Sequence, residues 1–341
     1  MNKAVKLRRF GKRIITSRYW RKRYLLCSPI GHLISSERYL KHIYKLQMGK
    51  ELNLDNPQTF NEKLQWMKLN NHNPLYTTLV DKYAVRGYIK KKLGEEYLIP
   101  LVGGPYVSAD EIDFNQLPNQ FVLKCTHDSA SVTICRNRET FDISAVKKKL
   151  NKALKKNYYY VGREWPYKNV KPQIIAEKYM ADESGVELKD YKIFNFAGKP
   201  KIIQVDYDRF VEHKRNLYTT DWEYIGAEFQ YPSDSAHVIK KPEVLNEMLD
   251  LAGRLSVGMP FVRTDFYCIG KHVYFGEFTF YPESGFGNFT PEQLGIEMGE
   301  WIKEYGGVLF GQITAVRIFI LIGIWLRKAA FENLQRCRYY V

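Results

Sequence analysis

Cysteine is scarce. There are five (Cys27, Cys125, Cys135, Cys268, Cys337), an odd number with no CxxC pair. That argues against a disulfide scaffold or a cysteine-held zinc, and it fits a reducing compartment. Long apolar runs are missing too. No stretch of 18 or more residues is apolar and uncharged throughout, and mean hydropathy is −0.40, which excludes a polytopic membrane protein. Internal repeats and low-complexity linkers are absent. With 341 residues, 45% hydrophobic and 26% charged, the chain is globular, either one large domain or two ordinary ones.

Acid is lacking where base is concentrated. Residues 1–50 carry a net +13 and residues 313–341 a net +4, whereas the 262 residues between carry −2. A nucleic-acid enzyme carries its basic charge across a binding face inside the domain; here the excess is appended to a near-neutral body, so no nucleic-acid partner is expected. Residues 1–26 hold ten Lys/Arg and no acid, with Leu7, Phe10, Ile14, Ile15, Trp20 and Tyr24 interleaved at roughly helical spacing. No uncharged apolar core follows, so this is not a secretory signal. It reads as a basic amphipathic helix on an anionic membrane surface, against the alternatives of a solvated leader or a nucleic-acid arm. Near the other end, Ile318 to Leu326 is uncharged and apolar, bracketed by Arg317 and Arg327–Lys328. Nine helical residues reach only ~14 Å, too short to span a bilayer. An in-plane or docked helix is expected, with a buried core helix as the alternative.

The body mixes helices and hairpins. Thr59 and Glu62 form a capping box opening a helix over 59–70, with Phe60, Leu64 and Met67 on one stripe. A second helix is expected over 76–93, ending at Gly94. A strand over 97–102 is expected to stop at Gly103–Gly104. Strands over 121–125 and 132–135 flank the polar loop THDSAS, and a helix follows over 142–156. A strand over 173–179 precedes a hairpin, 190–197 with 201–207, around Gly198–Lys199–Pro200. A helix over 242–256 leads to a second hairpin, 261–268 with 272–280, around Gly270. This is an α+β pattern.

The second hairpin carries the chemistry. Alternation puts Arg263 and Asp265 on one face of its first strand, and Glu277 and Thr279 on one face of its second. A three-residue turn at 269–271 predicts Arg263 opposite Glu277, with Asp265 diagonal to it. Two carboxylates with an arginine between them suit Mg²⁺ and phosphate oxygens; a surface ion pair is the bland alternative, disfavoured by the surrounding phenylalanines. Upstream, Lys124 lies on a strand before a loop of small and hydroxyl residues, through which backbone N–H groups can approach phosphate.

The blocks DKYAVRGYI, GEEYLIPLVGG, FVLKCTHDS, IIAEKYM, DYKIFNFAGKPKIIQVDYDRFVEHKRNLY and VRTDFYCIGKHVYFGEFTFYP, in that order, resemble the teichuronopeptide-biosynthesis (TupA-like) ATP-grasp proteins. The resemblance covers about residues 50–305 and leaves out both basic ends. It implies an ATP-grasp fold, two α+β lobes enclosing ATP and Mg²⁺. It implies that Lys124 contacts the α- and β-phosphates, that 126–131 with His127, Ser129 and Ser131 forms the phosphate lid, and that Glu177, Lys178 and Tyr179 form the adenine-side hinge. It places Lys192 on the phosphate side, Lys82 as an early nucleotide-side lysine, Asp265, Glu277 and Thr279 at Mg²⁺, and Arg263 near the transferred phosphate. Two positions depart from the family pattern. The lid lacks glycine and carries Asp128, and Thr279 stands where many ATP-grasp enzymes have asparagine.

The organisation expected is a basic helical region over 1–50, an ATP-grasp body over 51–305 with its lid region at about 121–172, and a basic apolar helix over 306–341. The function expected is ATP- and Mg²⁺-dependent carboxylate–amine ligation through an acyl phosphate, in cell-surface polysaccharide biosynthesis, on the cytoplasmic face of the plasma membrane. Arg209, His213 and Arg215 are expected on the acceptor side, where cations suit a carboxylate substrate; ordinary surface charge is the alternative. Two rivals stay open. Asp206-Tyr207-Asp208 is a DxD that fits a glycosyltransferase, and the glycine-free lid fits an inactive scaffold.

Overall fold

The Thr59 capping box is present: the Thr59 hydroxyl accepts from Glu62 N, and the Glu62 carboxylate accepts from Thr59 N. The computed structural model describes residues 17, 21, 24–26, 28–129, 131–181, 190–208, 212–305 and 308–309. Arg209, the apolar 318–326 segment and most of 1–26 lie outside these residues. No described helix is long and apolar enough to cross a membrane.

Four helices follow the short turn Pro29–Leu33: α1 (Ser36–Met48), α2 (Phe60–Asn70), α3 (Pro74–Val80) and α4 (Val85–Lys92). The single helix expected over 76–93 is thus broken in two. The Asp81 carboxylate accepts from Tyr83 N and Ala84 N, a side-chain-to-backbone bond that competes with helix continuation. The break matters because Lys82 sits in it. Phe60, Leu64 and Met67 are buried as expected, but α2 is buried on its polar side as well. Lys63 donates to the Gly299 and Ile302 carbonyls, Asn61 to Gly287, and Gln65 to Ser284 and Gly285. One helix thereby stitches the C-terminal part of the body to the core.

A four-stranded antiparallel sheet follows, in the order β1-β4-β2-β3, from β1 (Leu101–Tyr106), β2 (Phe121–Cys125), β3 (Thr133–Cys135) and β4 (Ile174–Lys178). β1 starts later than expected and runs through Gly103–Gly104, not up to it. Gly104 holds φ +92, and a Cβ there would meet the Ile174 carbonyl at 2.7 Å, so glycine lets the bulged strand approach β4. Helix α5 (Ile143–Leu154) packs on this sheet, and a single turn, α6 (Tyr159–Gly162), comes after it. This sheet has its own apolar core, including Phe114, Phe121, Leu123, Leu150 and Ile174.

The second sheet has six antiparallel strands in the order β11-β10-β5-β6-β7-β8. They are β5 (Asp190–Phe196), β6 (Lys199–Tyr207), β7 (Lys214–Tyr218), β8 (Tyr224–Ile225), β10 (Phe261–Ile269) and β11 (His272–Thr279); a short β9 (Glu228–Phe229) lies between β8 and helix α7 (Leu245–Ser256). The first hairpin turns at Ala197–Gly198, one residue earlier than expected. Helix α7 covers one face with Leu245, Met248, Leu251, Ala252 and Leu255, and α8 (Gln293–Trp301) packs against α2. The segment before β1 joins the six-stranded sheet where Phe275 N donates to the Tyr97 carbonyl at 2.7 Å, and the α3–α4 break joins the four-stranded sheet's end where Lys82 N donates to the Thr126 carbonyl at 3.0 Å.

Candidate functional site

The register of β10 against β11 corrects the expected one. Ile269 pairs with His272, so the turn has two residues, Gly270 and Lys271. A two-residue turn would set odd positions against even ones. A bulge restores the parity: Phe266 pairs with Phe275, and Asp265 with Glu277, leaving Gly276 as the extra residue. A Cβ at Gly276 would crowd the Asp265 carbonyl at 3.0 Å and the Tyr267 ring at 3.2 Å. Asp265 therefore stands directly opposite Glu277, and Arg263 opposite Thr279. The four side chains still share one face.

Registry extends this face across the sheet. Asp265 is opposite Lys192, Lys192 opposite Gln204, and Asp206 opposite Arg215. The result is a row of buried polar groups spanning four strands, with the half-buried Glu277 on β11 at its end. Arg263 grips Asp265 bidentately, with Nε and Nη2 each 2.7 Å from a carboxylate oxygen, and donates to Thr279 Oγ1 at 3.1 Å. Its Nη2 is 4.0 Å from Glu277 Oε1. Lys192 Nζ lies 2.6 Å from Asp190 and 3.2 Å from Asp206. Asp206 also receives Arg215 Nε at 2.6 Å and Gln204 Nε2 at 3.0 Å, and lies 3.3 Å from His213 Nε2. Burial lifts the Asp265 carboxyl to about 6 against the pull of Arg263 and Lys192.

The four-stranded sheet and the α3–α4 break supply the opposite wall. Lys124 Nζ pairs with Glu177 at 2.6 Å. Lys82 Nζ donates to the Asp128 carbonyl and lies 3.9 Å from Glu277 Oε2. Tyr267, two residues beyond Asp265, has its phenol held well above its ordinary value, first by the Asp190 carboxylate and then by burial, Glu277, Asp265 and Glu177. Lys82 and Glu277 thus bring the two walls together. Lys178 is exposed at the end of β4, its N–H held by the Pro100 carbonyl at 2.9 Å, and Tyr179 follows it half-buried.

Two expectations change here, and Asp128 finds a local partner. The Asp128 carboxylate turns into its own loop, accepting from Ser131 Oγ at 2.5 Å, while Ser131 Oγ accepts from Cys125 N at 2.8 Å. Asp128 thereby leaves Ser129 Oγ outward, 2.6 Å from the Tyr158 hydroxyl. His127 turns away from the lysines: its buried ring places Nε2 3.1 Å from the Lys156 carbonyl and 3.3 Å from that of Ala153, at the end of α5. Arg215 is neither surface charge nor open to an acceptor. It is buried, bound to Asp206 and to Glu283 at 3.0 Å, and lies over the Phe229 and Tyr231 rings. His213 stacks on Tyr231 beside it.

Beside the row lies a cluster that no sequence pattern announced. Lys68 Nζ donates to Ser284 O at 2.8 Å and Ser284 Oγ at 3.1 Å, and Ser284 Oγ donates to Glu164 Oε1 at 2.7 Å. Glu283 and Ser284 both hold left-handed backbone, at φ 49 and 53, a strained conformation away from glycine that the α2 donors hold in place. Burial, then Glu164 and Glu277, keep the Tyr167 phenol well above its usual value. Burial pulls the Lys68 ammonium down to about 7, opposed by Glu164; burial also raises Glu164, opposed by Lys68. Lys68→Met is expected to cost ~1–3 kcal/mol at pH 7, because Ser284 loses its donor and Glu164 loses the cation bridged to it by Ser284 Oγ. A carboxyl whose folded pKa exceeds its unfolded value binds a proton on folding, so the variant regains stability as pH falls through that folded value toward 4.5. Urea unfolding should show the deficit narrowing between pH 7 and pH 5; a deficit equal at both values contradicts the pairing.

A sequence profile described as TupA-like ATPgrasp matches residues 62–303. The chain belongs to the TupA-like ATP-grasp family. No curated protein matches its sequence. Among solved structures it is similar to the ATP-grasp ligase PsnB complexed with a phosphomimetic variant of minimal precursor, Mg and ADP (8% identity, TM-score 0.37, 71% of this chain and 59% of that one). It is similar also to D-alanine–D-alanine ligase from Helicobacter pylori (14%, 0.35, 72% and 68%). A third is N5-carboxyaminoimidazole ribonucleotide synthetase from Thermus thermophilus (11%, 0.33, 60% and 45%). The chain thus spans between 45% and 68% of these three proteins. The profile match leaves both basic ends of this TupA-like chain outside it, along with α1 and the capping residue Thr59.

Proposed function

We propose that this chain is an ATP- and Mg²⁺-dependent carboxylate–amine ligase. One observation carries the reading. Asp265 and Glu277 oppose each other across β10 and β11, beside Arg263 and Lys192, and Lys82 reaches the same Glu277 from the other wall. Asp265, Glu277 and the Thr279 hydroxyl are an all-oxygen donor set, the kind Mg²⁺ takes, so the residues present fit the metal. Lys82, Lys124, Lys192 and Arg263 fit phosphate oxygens, and each is held now by an acid that nucleotide can replace.

Bound at these carboxylates, Mg²⁺ supplies charge neutralisation on the phosphates. The chain's own part is to hold and orient. Lys82, Lys124 and Lys192 hold phosphate oxygens, Arg263 faces the transferred group, and the 126–131 loop with Ser129 and Tyr158 keeps water out. A substrate carboxylate attacks the γ-phosphorus as ADP leaves, giving an acyl phosphate. An amine attacks its carbonyl, phosphate departs, and the amine proton is lost as the amide forms. No enzyme nucleophile is needed. The DxD reading is not favoured, because Asp206 has Arg215 and not a second acid opposite it, with Lys192 and His213 also at its carboxylate, whereas Asp265 faces Glu277.

The finer reading places this ligase in cell-surface polysaccharide biosynthesis, joining an amine or amino acid to a uronic acid or another carboxylate. The body spans 51–305 with its lid at about 121–172. The basic ends, 1–50 and 306–341, hold it peripherally on the cytoplasmic face of the plasma membrane; the net +13 of 1–50 and +4 of 313–341, against −2 between them, support this. Hydroxylamine trapping tests the chemistry. Mg²⁺-ATP with uronic acids or acidic amino acids is expected to yield hydroxamate with equal ADP; ADP without hydroxamate from any carboxylate contradicts it.

Lys124→Ala is expected to weaken ATP binding about tenfold to a hundredfold, through loss of a charge-assisted contact. Calorimetry showing unchanged affinity removes Lys124 from the site.

A further inference from the structure

Large apolar side chains stand exposed on the described amino-terminal segment. Leu33 is 88% exposed and Ile30 62%, both on the short turn Pro29–Leu33; Leu25 and Tyr24 are half-exposed beside them. Val161, on α6, is 62% exposed. These residues belong to one local assembly. A Cβ at Gly31 would overlap the Leu26 carbonyl, so glycine seats residues 25–26 on the turn. Arg163 Nη2 donates to the Gly31 carbonyl at 2.7 Å, and the His32 ring stacks on Tyr160 at 3.8 Å. Ser36 Oγ is 2.6 Å from the Tyr159 hydroxyl, and the Tyr39 hydroxyl donates to the Val161 carbonyl at 3.1 Å. The Arg163 guanidinium lies over the rings of Tyr39, Tyr159 and Tyr160.

The same short stretch of chain reaches the site. Tyr158, next to α6, holds Ser129 of the 126–131 loop, and Glu164, next to Arg163, accepts from Ser284. Residues 158–164 therefore join the apolar turn on one side to the loop and the buried cluster on the other.

We infer that Leu25, Ile30, Leu33 and Val161 form a patch that docks on an anionic lipid bilayer, and that docking steadies the 126–131 loop through the Arg163 bracket and Tyr158. The inference rests on the membrane placement proposed above. Charge complementarity selects lipid as the occupant. The ten Lys/Arg of residues 1–26, with no acid among them, adjoin the patch in sequence, and Arg38 is exposed on the helix that follows it. Basic charge beside insertable apolar side chains is the pairing that holds proteins at anionic interfaces, the charge drawing the chain in and the apolar groups keeping it there. Four side chains of this kind do not span the bilayer, so the contact is reversible.

Flotation of the full chain with phosphatidylcholine vesicles, with and without phosphatidylglycerol, tests the patch. Wild type is expected to float with the anionic vesicles alone. The pair Ile30→Glu/Leu33→Glu, and separately Val161→Glu, are expected to lower the floated fraction at least about tenfold. These side chains are exposed, so folding is preserved. Hydrogen exchange reads the coupling: in wild type, vesicles are expected to slow exchange in 126–131 and 158–164, and in the variants they are not. Variants that float like wild type overturn the patch while leaving membrane placement by the basic ends intact. Wild type that floats equally with neutral vesicles, or not at all, overturns both. Flotation without a change in exchange overturns the coupling. Mg²⁺-ATP binding measured without vesicles reads the nucleotide site independently, so none of these failures is confused with failure of the ligase reading.

Discussion

Glu277→Gln is expected to lower Mg²⁺-dependent ATP turnover at least about a hundredfold, the scale of losing one preorganised electrostatic contact at a transferring group. The fold is expected to survive. The Glu277 side chain is 39% exposed, and its cationic neighbours, Lys82 and Arg263, lie at 3.9 and 4.0 Å, so its replacement resembles a surface change of about 0.5 kcal/mol or less. Asp265→Asn is a different experiment. Asp265 is buried and accepts from Nε and Nη2 of a buried arginine, so removing its charge leaves Arg263 only the more distant Glu277 and costs on the order of 3–5 kcal/mol. Lost turnover in that variant reports folding as much as metal. Glu277→Gln isolates the site, and near-normal turnover in it, with circular dichroism unchanged, contradicts the metal assignment.

Asp206→Ala is expected to cost as much stability as Asp265→Asn. One carboxylate there meets Arg215, Lys192, Gln204 and His213. Its removal takes the shared acid from two buried cations, leaving Lys192 with Asp190 and Arg215 with Glu283, in a row where burial disfavours charge. A cost of on the order of 3–5 kcal/mol lowers the unfolding midpoint by roughly 10 °C for a body of this size. Calorimetry that finds the midpoint unmoved contradicts the view that this row is a balanced charge network. Arg215→Met/Asp206→Met, which removes both partners, is expected to recover much of the loss, because breaking a buried pair costs more than replacing it.

Strand periodicity carries the reading of the site as far as one face of one hairpin. Alternation alone places Arg263, Asp265, Glu277 and Thr279 together. It does not give their register, because a two-residue turn and a bulge at Gly276 compensate each other, and neither is visible in a local pattern. Tyr267 and Asp190 are within reach of the same argument, each two positions from a named residue on its own strand. Lys68, Glu164 and Ser284 are not. Lys68 lies on the polar side of a helix that looks amphipathic, and only packing of that side against the 284–302 segment makes it buried. The break at Asp81 is hidden because helical periodicity continues through it; a side-chain bond to two backbone N–H groups decides it. Arg215 looks like surface charge in the sequence because its acids, Asp206 and Glu283, come from different elements.

The central claim is that nucleotide and metal bind between Lys82 and Lys124 on one wall and the Asp265–Glu277 face on the other. Thermal unfolding with added ligands tests it most directly. Mg²⁺-ATP at a hundredfold over its dissociation constant is expected to stabilise wild type by about 2.7 kcal/mol. The Mg²⁺-dependent part of that shift is expected to vanish in Glu277→Gln, and a uridine diphosphate sugar with Mn²⁺ is expected to shift neither protein. A midpoint unmoved by Mg²⁺-ATP, or moved by the sugar nucleotide instead, contradicts the account.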